Sequence, residues 1–175
     1  KSVEETVECF DTNILGSVNF FDLCVKYNVK RLIFSSTGGA IYSPDAPIPW
    51  QEDSTLDPQS PYGLSKLWIE QYLKMANKLY GLDYSILRYG NVYGPRQDPK
   101  GEAGVVSIFL DALLQGRDLK MFGNGEQRRD FVYVDDVVRA NVLMMNETRN
   151  ETYNAGSNSS ISVNEVAKQL TDQLG

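Results

Sequence analysis

Two short apolar runs, each ending in a polar turn that carries glycine, constrain this chain more than any other feature. Arg31-Leu32-Ile33-Phe34 breaks into Ser35-Ser36-Thr37-Gly38-Gly39, and residues 83–89 (DYSILRY) break into Gly90-Asn91-Val92-Tyr93-Gly94-Pro95. Both runs are too short for a helix and too apolar for a half-solvated strand, so they read as buried strands. Helical patterns surround them. Residues 14, 15, 18, 21, 24 and 25 are apolar at helical spacing, with Lys26 and Asn28 where a helix ends. Ser60 as N-cap, Pro61 at the first position and Gly81 as terminator predict a second helix running to Leu79. Strands alternating with helices imply an α/β fold with a mainly parallel sheet. In such a sheet ligands bind beyond the C-terminal ends of the strands, which points to the two turns.

The remainder is less regular. Residues 43–61 hold five prolines, at 44, 47, 49, 58 and 61, and read as a long loop. From about 97 a Gly/Pro/charge-rich loop (QDPKGEAG) leads to a helix at 104–115, a short strand at 119–122 and the turn Gly123-Asn124-Gly125. A strand at 131–134 follows, then a helix capped by Asp135 or Asp136 and running to about 146. Ser162-Val163-Asn164-Glu165 has the form of a capping box that starts a last helix. No internal repeat is visible.

Composition removes several classes of function. Hydrophobic residues make up 42% and charged residues 23%, as in soluble globular proteins. The longest apolar runs fall far short of the roughly 20 residues of a membrane-spanning helix. A net charge of −6 offers no basic face for nucleic acid, though a few arginines could clamp a small phosphorylated ligand. There is no histidine, and Cys9 and Cys24 alone cannot build a thiolate zinc site, so no metal is expected and histidine-based triads are excluded. Two reduced helix cysteines in a cytoplasmic protein are the expectation. The chain opens on Lys1 and both ends read as cut, which predicts a piece of a longer protein.

The chemistry centres on Tyr62 and Lys66. Four residues apart on a helix, they share one face. An ammonium beside a phenol favours the phenolate and brings its pKa down from about 10. Such a tyrosine can take a proton from a sugar hydroxyl while a hydride leaves the same carbon. The hydroxyls of Ser35, Ser36 and Thr37 end the preceding strand, where one of them could hydrogen-bond the reacting oxygen.

The segments FSSTGGAIY, SPYGLSK, LRYGNVYGPRQ and RRDFVYVDD, in this order, resemble the extended short-chain dehydrogenases/reductases that act on nucleotide sugars, the epimerase/dehydratase family that includes UDP-glucose 4-epimerase. The resemblance covers essentially the whole chain. It implies a partial Rossmann-type parallel sheet with a smaller C-terminal substrate-binding domain. Residues 1–96 would be the C-terminal half of the NAD-binding domain and 97–175 mostly the substrate-binding domain, with 129–146 returning to the first. The family's N-terminal glycine-rich cofactor motif is missing. Gly123-x-Gly125 does not replace it, since no strand–turn–helix unit surrounds it.

Carried over by resemblance, Tyr62 is the catalytic acid/base, and Lys66 binds the cofactor ribose and tunes Tyr62. Thr37 is the substrate-orienting hydroxyl. The family has one residue fewer between this hydroxyl and the tyrosine matched by Tyr42, so Ser36 stays open as the alternative. Asn13, Ser35, Tyr89 and Gly90 fall at cofactor positions. Asn91 and Arg129 match residues that bind the substrate's phosphates, and Phe122 falls in the nucleotide pocket. A buried core place for Phe122, and pairing of Arg129 with Asp130 or Asp135, are the competing readings.

Thr37 is followed by Gly38-Gly39-Ala40-Ile41, with no acid until Asp45. A 4,6-dehydratase or a decarboxylase of this family would carry an acidic group there. The minimal chemistry remains: oxidation at C4 with bound NAD and return of the hydride to the opposite face. The expectation is a UDP-glucose/UDP-galactose-type 4-epimerase. A reductase or dehydratase of the same family, or a non-catalytic fragment that binds nucleotide sugar, is the alternative, and the isolated piece is expected to be inactive. Apolar residues at 64, 67, 68, 69, 72, 73, 75, 76 and 79 exceed one core-facing stripe and predict a homodimer.

Overall fold

The computed structural model describes residues 1–100 and 104–174. Residues 101–103 of the expected loop after position 97 lie outside the described residues. The chain forms two compact units, Lys1–Tyr89 with Ala140–Ala155, and Gly90–Arg139 with Gly156–Gly175.

The first unit is built on a parallel sheet of β1 (Arg31–Thr37), β2 (Asp83–Tyr89) and β6 (Glu151–Ala155), in the order β1-β2-β6. The register pairs Arg31 with Asp83 and Thr37 with Tyr89, so β1 and β2 end side by side. Gly38 continues the contact, its N–H donating to the Tyr89 carbonyl at 2.8 Å. In β2 every residue from Tyr84 to Arg88 is buried, as a central parallel strand requires. The strand at β1 extends three residues further than its apolar run, through Ser35, Ser36 and Thr37. Sheet hydrogen bonding to β2 holds those polar residues extended.

Helices α1 (Thr6–Phe10) and α2 (Gly16–Lys26) are joined by a π-helical turn, Asp11–Leu15. The helix α3 (Pro61–Tyr80) keeps both signals read from the sequence. Ser60 is extended and its hydroxyl accepts from the Gly63 N–H at 3.1 Å, while Gly81 closes the helix with a left-handed φ of 72°. Phe21 and Cys24 of α2, Ile69 and Leu73 of α3, and Leu32 and Ile86 of the sheet form one buried cluster. At about 2 kcal/mol for each large apolar side chain, this cluster is what holds α3 against the sheet.

The second unit has a parallel pair, β3 (Asn91–Tyr93) with β5 (Phe131–Tyr133), and an antiparallel pair, β4 (Arg128–Arg129) with β7 (Ile161–Ser162). Its core forms where α4 (Val105–Leu114) meets α6 (Val163–Leu174), around Phe109, Val163 and Val166. The capping box is present: Glu165 accepts from the Ser162 N–H at 2.6 Å, and Ser162 accepts from the Glu165 N–H at 3.1 Å. The strand expected at 119–122 is absent. Leu119 and Met121 pack on the Phe109–Val163 cluster, so the alternation is satisfied by burial without a hydrogen-bonded neighbour. Asp135 and Asp136 lie in the first turn of α5 (Val134–Met144) rather than ahead of it.

Candidate functional site

Helix α3 presents Tyr62 and Lys66 one turn apart beside the end of β1. The Lys66 ammonium donates to the Ser35 carbonyl at 3.1 Å and lies 5.8 Å from the centre of the Tyr62 ring and 5.0 Å from that of Phe34. Burial pushes the Lys66 pKa below its ordinary 10.5. Tyr62 stays 37% exposed.

The three hydroxyls at the end of β1 separate by strand alternation. Ser35 is exposed and Thr37 half-buried, whereas Ser36 faces the interior at 3% exposure. Ser36 Oγ donates to Glu70 Oε1 at 2.5 Å. Ser35 Oγ bonds the Tyr89 hydroxyl at 3.1 Å, and the Asn141 amide donates to that hydroxyl at 2.8 Å. Asn13 lies in the π-helical turn, a departure from α-helix often found at functional sites. Its amide donates to Ser65 Oγ at 3.1 Å, and Ser65 Oγ donates to the Tyr62 carbonyl at 2.7 Å. The structure thus gathers Asn13, Ser35, Tyr62, Lys66 and Tyr89 around the C-terminal edge of the sheet, with Thr37 at its last position.

Sequence reasoning missed the polar group behind this edge. Glu70 is fully buried and Arg88 is 2% exposed. Arg88 meets Glu70 through two parallel bonds, Nη2 to Oε2 at 2.7 Å and Nε to Oε1 at 3.1 Å. Its Nη1 donates to the Tyr42 hydroxyl at 2.9 Å and to the Glu52 carbonyl at 3.0 Å. Burial alone would lower the Arg88 pKa, but the bond to Glu70 and its charge, together with Tyr42, carry it above the usual value. Burial pushes the Tyr42 phenol up, so it stays protonated and donates to Asn154 at 2.6 Å. A signal was present: Arg88 interrupts an apolar strand, and Glu70 follows Tyr62 and Lys66 at the same four-residue step.

In the second unit a cleft of about 300 Å³ is lined by Asn91, Phe122 and Arg129 together with Lys120, Gln127 and Val163. Gly90 is the first residue of this unit, and the adjacent Asn91 N–H donates to the Asp130 carbonyl at 2.7 Å. The core reading of Phe122 fails, because its ring is 85% exposed. Phe122 sits on the wall of an open cleft, next to the Gly123-Asn124-Gly125 turn. Arg129 makes no ion pair with Asp130 or Asp135 among the described residues. It donates to the Arg128 carbonyl at 2.8 Å, while Asp130 is engaged by the Ser157 N–H and hydroxyl at 2.8 and 2.7 Å. The Arg129 guanidinium therefore retains donors for an anion.

The sequence profile described as the NAD dependent epimerase/dehydratase family matches residues 1–156. The chain belongs to this family. A UDP-glucose 4-epimerase of Mycolicibacterium smegmatis is 39% identical over 176 residues, which covers 100% of the chain and 56% of that relative. The crystal structure of the Thermotoga maritima UDP-glucose 4-epimerase with UDP-glucose superposes with a TM-score of 0.97 at 49% identity, over 99% of the chain and 57% of that structure. The Thermus thermophilus UDP-glucose 4-epimerase in complex with NAD gives a TM-score of 0.92 at 41% identity, over 99% and 58% respectively. The chain therefore spans a little over half the length of the relatives it matches.

NAD is the cofactor of the family, and the donor set around Tyr62 fits it. Lys66 spends one ammonium hydrogen on the Ser35 carbonyl and has two more for a ribose diol. The chain contains neither Gly-x-x-Gly-x-x-Gly nor Gly-x-Gly-x-x-Gly. The donors beside Tyr62 suit the ribose of such a cofactor.

Proposed function

We propose that this chain carries the catalytic tyrosine helix and part of the substrate site of a UDP-hexose 4-epimerase. The observation that carries the reading is the Tyr62–Lys66 pair beside a β1 end that offers Thr37 and then two glycines. Tyr62, Lys66 and Thr37 are the side chains that proton transfer at one carbinol carbon requires, and the first acid after Thr37 is Asp45. Although the family's relatives include a dTDP-glucose 4,6-dehydratase and a decarboxylase, elimination or decarboxylation would need an acid or base at that point.

NAD, when bound, supplies the hydride acceptor and donor. The Tyr62 phenolate takes the proton of the C4 hydroxyl as that carbon loses its hydride, leaving a ketone and a neutral phenol. Lys66 holds the phenolate form ready by its charge. Thr37, rather than the inward-facing Ser36, donates to the C4 oxygen and fixes it for proton transfer. On the return to the alcohol Tyr62 gives the proton back to the C4 oxygen, so the phenolate is regenerated and the cycle closes without net redox change. Asn91, Phe122 and Arg129 hold the nucleotide diphosphate, the guanidinium matching the phosphate oxygens in a fork. The exposed side chains of Phe20 and Leu23 on α2, of Tyr27 just past its end, and of Leu64, Trp68 and Leu79 on α3, support a homodimer through these two helices.

The test is incubation of the full-length protein with UDP-galactose and no added cofactor, following UDP-glucose. Conversion lost in Tyr62→Phe is the expected result. No conversion, with turnover of a keto-sugar on adding NADPH, would replace the epimerase by a reductase.

A further inference from the structure

We propose that the buried Glu70–Arg88 pair is a positioning device for the reacting groups, setting the distance between the Tyr62–Lys66 helix and the Thr37 hydroxyl. The inference rests on the functional reading above for its kinetic part alone.

Glu70 lies one turn beyond Lys66 and two beyond Tyr62 on α3, and each of these two later residues ties the helix to β1. Lys66 reaches the Ser35 carbonyl and Glu70 receives the Ser36 hydroxyl, so two consecutive residues of β1 are held immediately before Thr37. The first link is exposed. The second is buried and made to a carboxylate that two guanidinium bonds already fix, so it has far less freedom. Ser36 and Arg88 are register partners on β1 and β2, which makes Glu70, Ser36 and Arg88 a closed triangle between one helix and two strands. On its far side Arg88 holds the Tyr42 hydroxyl and the Glu52 carbonyl, and Tyr42 with Glu52 engages Asn154. The loop leaving Thr37 is thereby pinned to the same pair.

Stability alone does not account for such a pair. Desolvating two full charges offsets most of their attraction, and well-packed apolar side chains of similar volume commonly serve stability as well or better. What apolar side chains cannot reproduce is the directed bond to Ser36 and the fork that orients it. Active-site geometry tolerates little error: a displacement of about 1 Å can cost about 100-fold in rate.

The experiment separates packing from positioning in the full-length, NAD-loaded protein. Glu70→Met leaves a buried guanidinium without its partner and is expected to lower Tm sharply. Glu70→Met/Arg88→Met removes both charges and is expected to return Tm to within about 5 °C of the parent. Its kcat for UDP-galactose should nevertheless stay about 100-fold down with KM within about threefold. Ser36→Ala, which cuts only the link to β1, should lower kcat about tenfold with Tm nearly unchanged. In parallel, the ultraviolet absorbance of the Tyr62 phenolate, taken as the difference from Tyr62→Phe in each background, should titrate about one unit higher in the double variant, because Lys66 is no longer held in place. That titration reads the geometry whether or not the protein interconverts UDP-hexoses, so failure of the epimerase reading is distinguished from failure of this one. Recovery of both kcat and the phenolate titration along with Tm in the double variant would overturn the proposal. If the double variant does not fold, an unchanged kcat and phenolate titration in Ser36→Ala overturn it, and the tenfold loss upholds it.

Discussion

Replacing Lys66 by Met removes a charge beside the Tyr62 ring while keeping a side chain of similar length. With the ammonium 5.8 Å from the ring centre, Coulomb's law at an effective dielectric constant of about 20 gives about 3 kcal/mol in favour of the phenolate. At 1.36 kcal/mol per unit that corresponds to about two pKa units, and solvent at the exposed phenol reduces it to about one to two. The acid limb of the kcat profile, which reports formation of the Tyr62 phenolate, should therefore move up by about one to two units in Lys66→Met. At neutral pH the rate should fall about 10- to 100-fold from this cause alone. Lys66 also has hydrogens for a ribose diol, so bound NAD must be quantified in every variant. Lys66→Arg distinguishes the two roles. It keeps the charge, so its limb should stay near that of the parent even where cofactor retention drops. The assay is UDP-galactose turnover by the full-length protein across the pH range, corrected for NAD content. A limb that stays in place in Lys66→Met would refute the electrostatic role and leave Lys66 as a cofactor ligand only.

Three further outcomes are expected. Gly63→Ala should destabilise by about 2 kcal/mol or more, read as a drop in Tm, because the new Cβ would collide with the Ala40 carbonyl oxygen, although alanine ordinarily favours a helix by about 1 kcal/mol; a raised Tm would contradict the close approach of Ala40 to α3. Arg129→Met should raise KM for the nucleotide sugar about 10- to 100-fold with kcat within about threefold, and a loss confined to kcat would place Arg129 in the chemical step instead. Because burial lowers the Lys66 pKa below 10.5, between that lowered value and 10.5 the unfolded chain holds a proton that the folded chain has released, so stability contributed at this position rises with pH through that window. Thermal unfolding of Lys66→Met should then show its greatest advantage over the parent below the window and a shrinking one through it; a constant difference would contradict the burial.

Local signals made much of this protein legible from its sequence. Ser60, Pro61 and Gly81 specify the ends of α3 through the backbone preferences of those residues alone, and the helical step of four places Tyr62 and Lys66 together wherever the helix packs. Ser162 and Glu165 specify α6 in the same way. The two buried strands follow from short, largely apolar runs, and their polar ends mark the C-terminal edge of the sheet, the edge at which parallel α/β sheets bind ligands. What required contacts far apart in the chain could not be read. β6 is a strand because Ser85 to Tyr89 offer a free edge to Glu151 to Ala155, a segment with no apolar run of its own. Residues 119–122 alternate like a strand yet pair with none. Between core and pocket the sequence leaves Phe122 open until its exposure on a cleft wall decides, and the choice between Ser36 and Thr37 turns on which face of β1 meets Glu70. The Glu70–Arg88 pair is the plainest case. A carboxylate and a guanidinium can be buried only if each finds the other, and that meeting, eighteen residues apart along the chain, is made by the packing of α3 on β2 and not by either residue's neighbours.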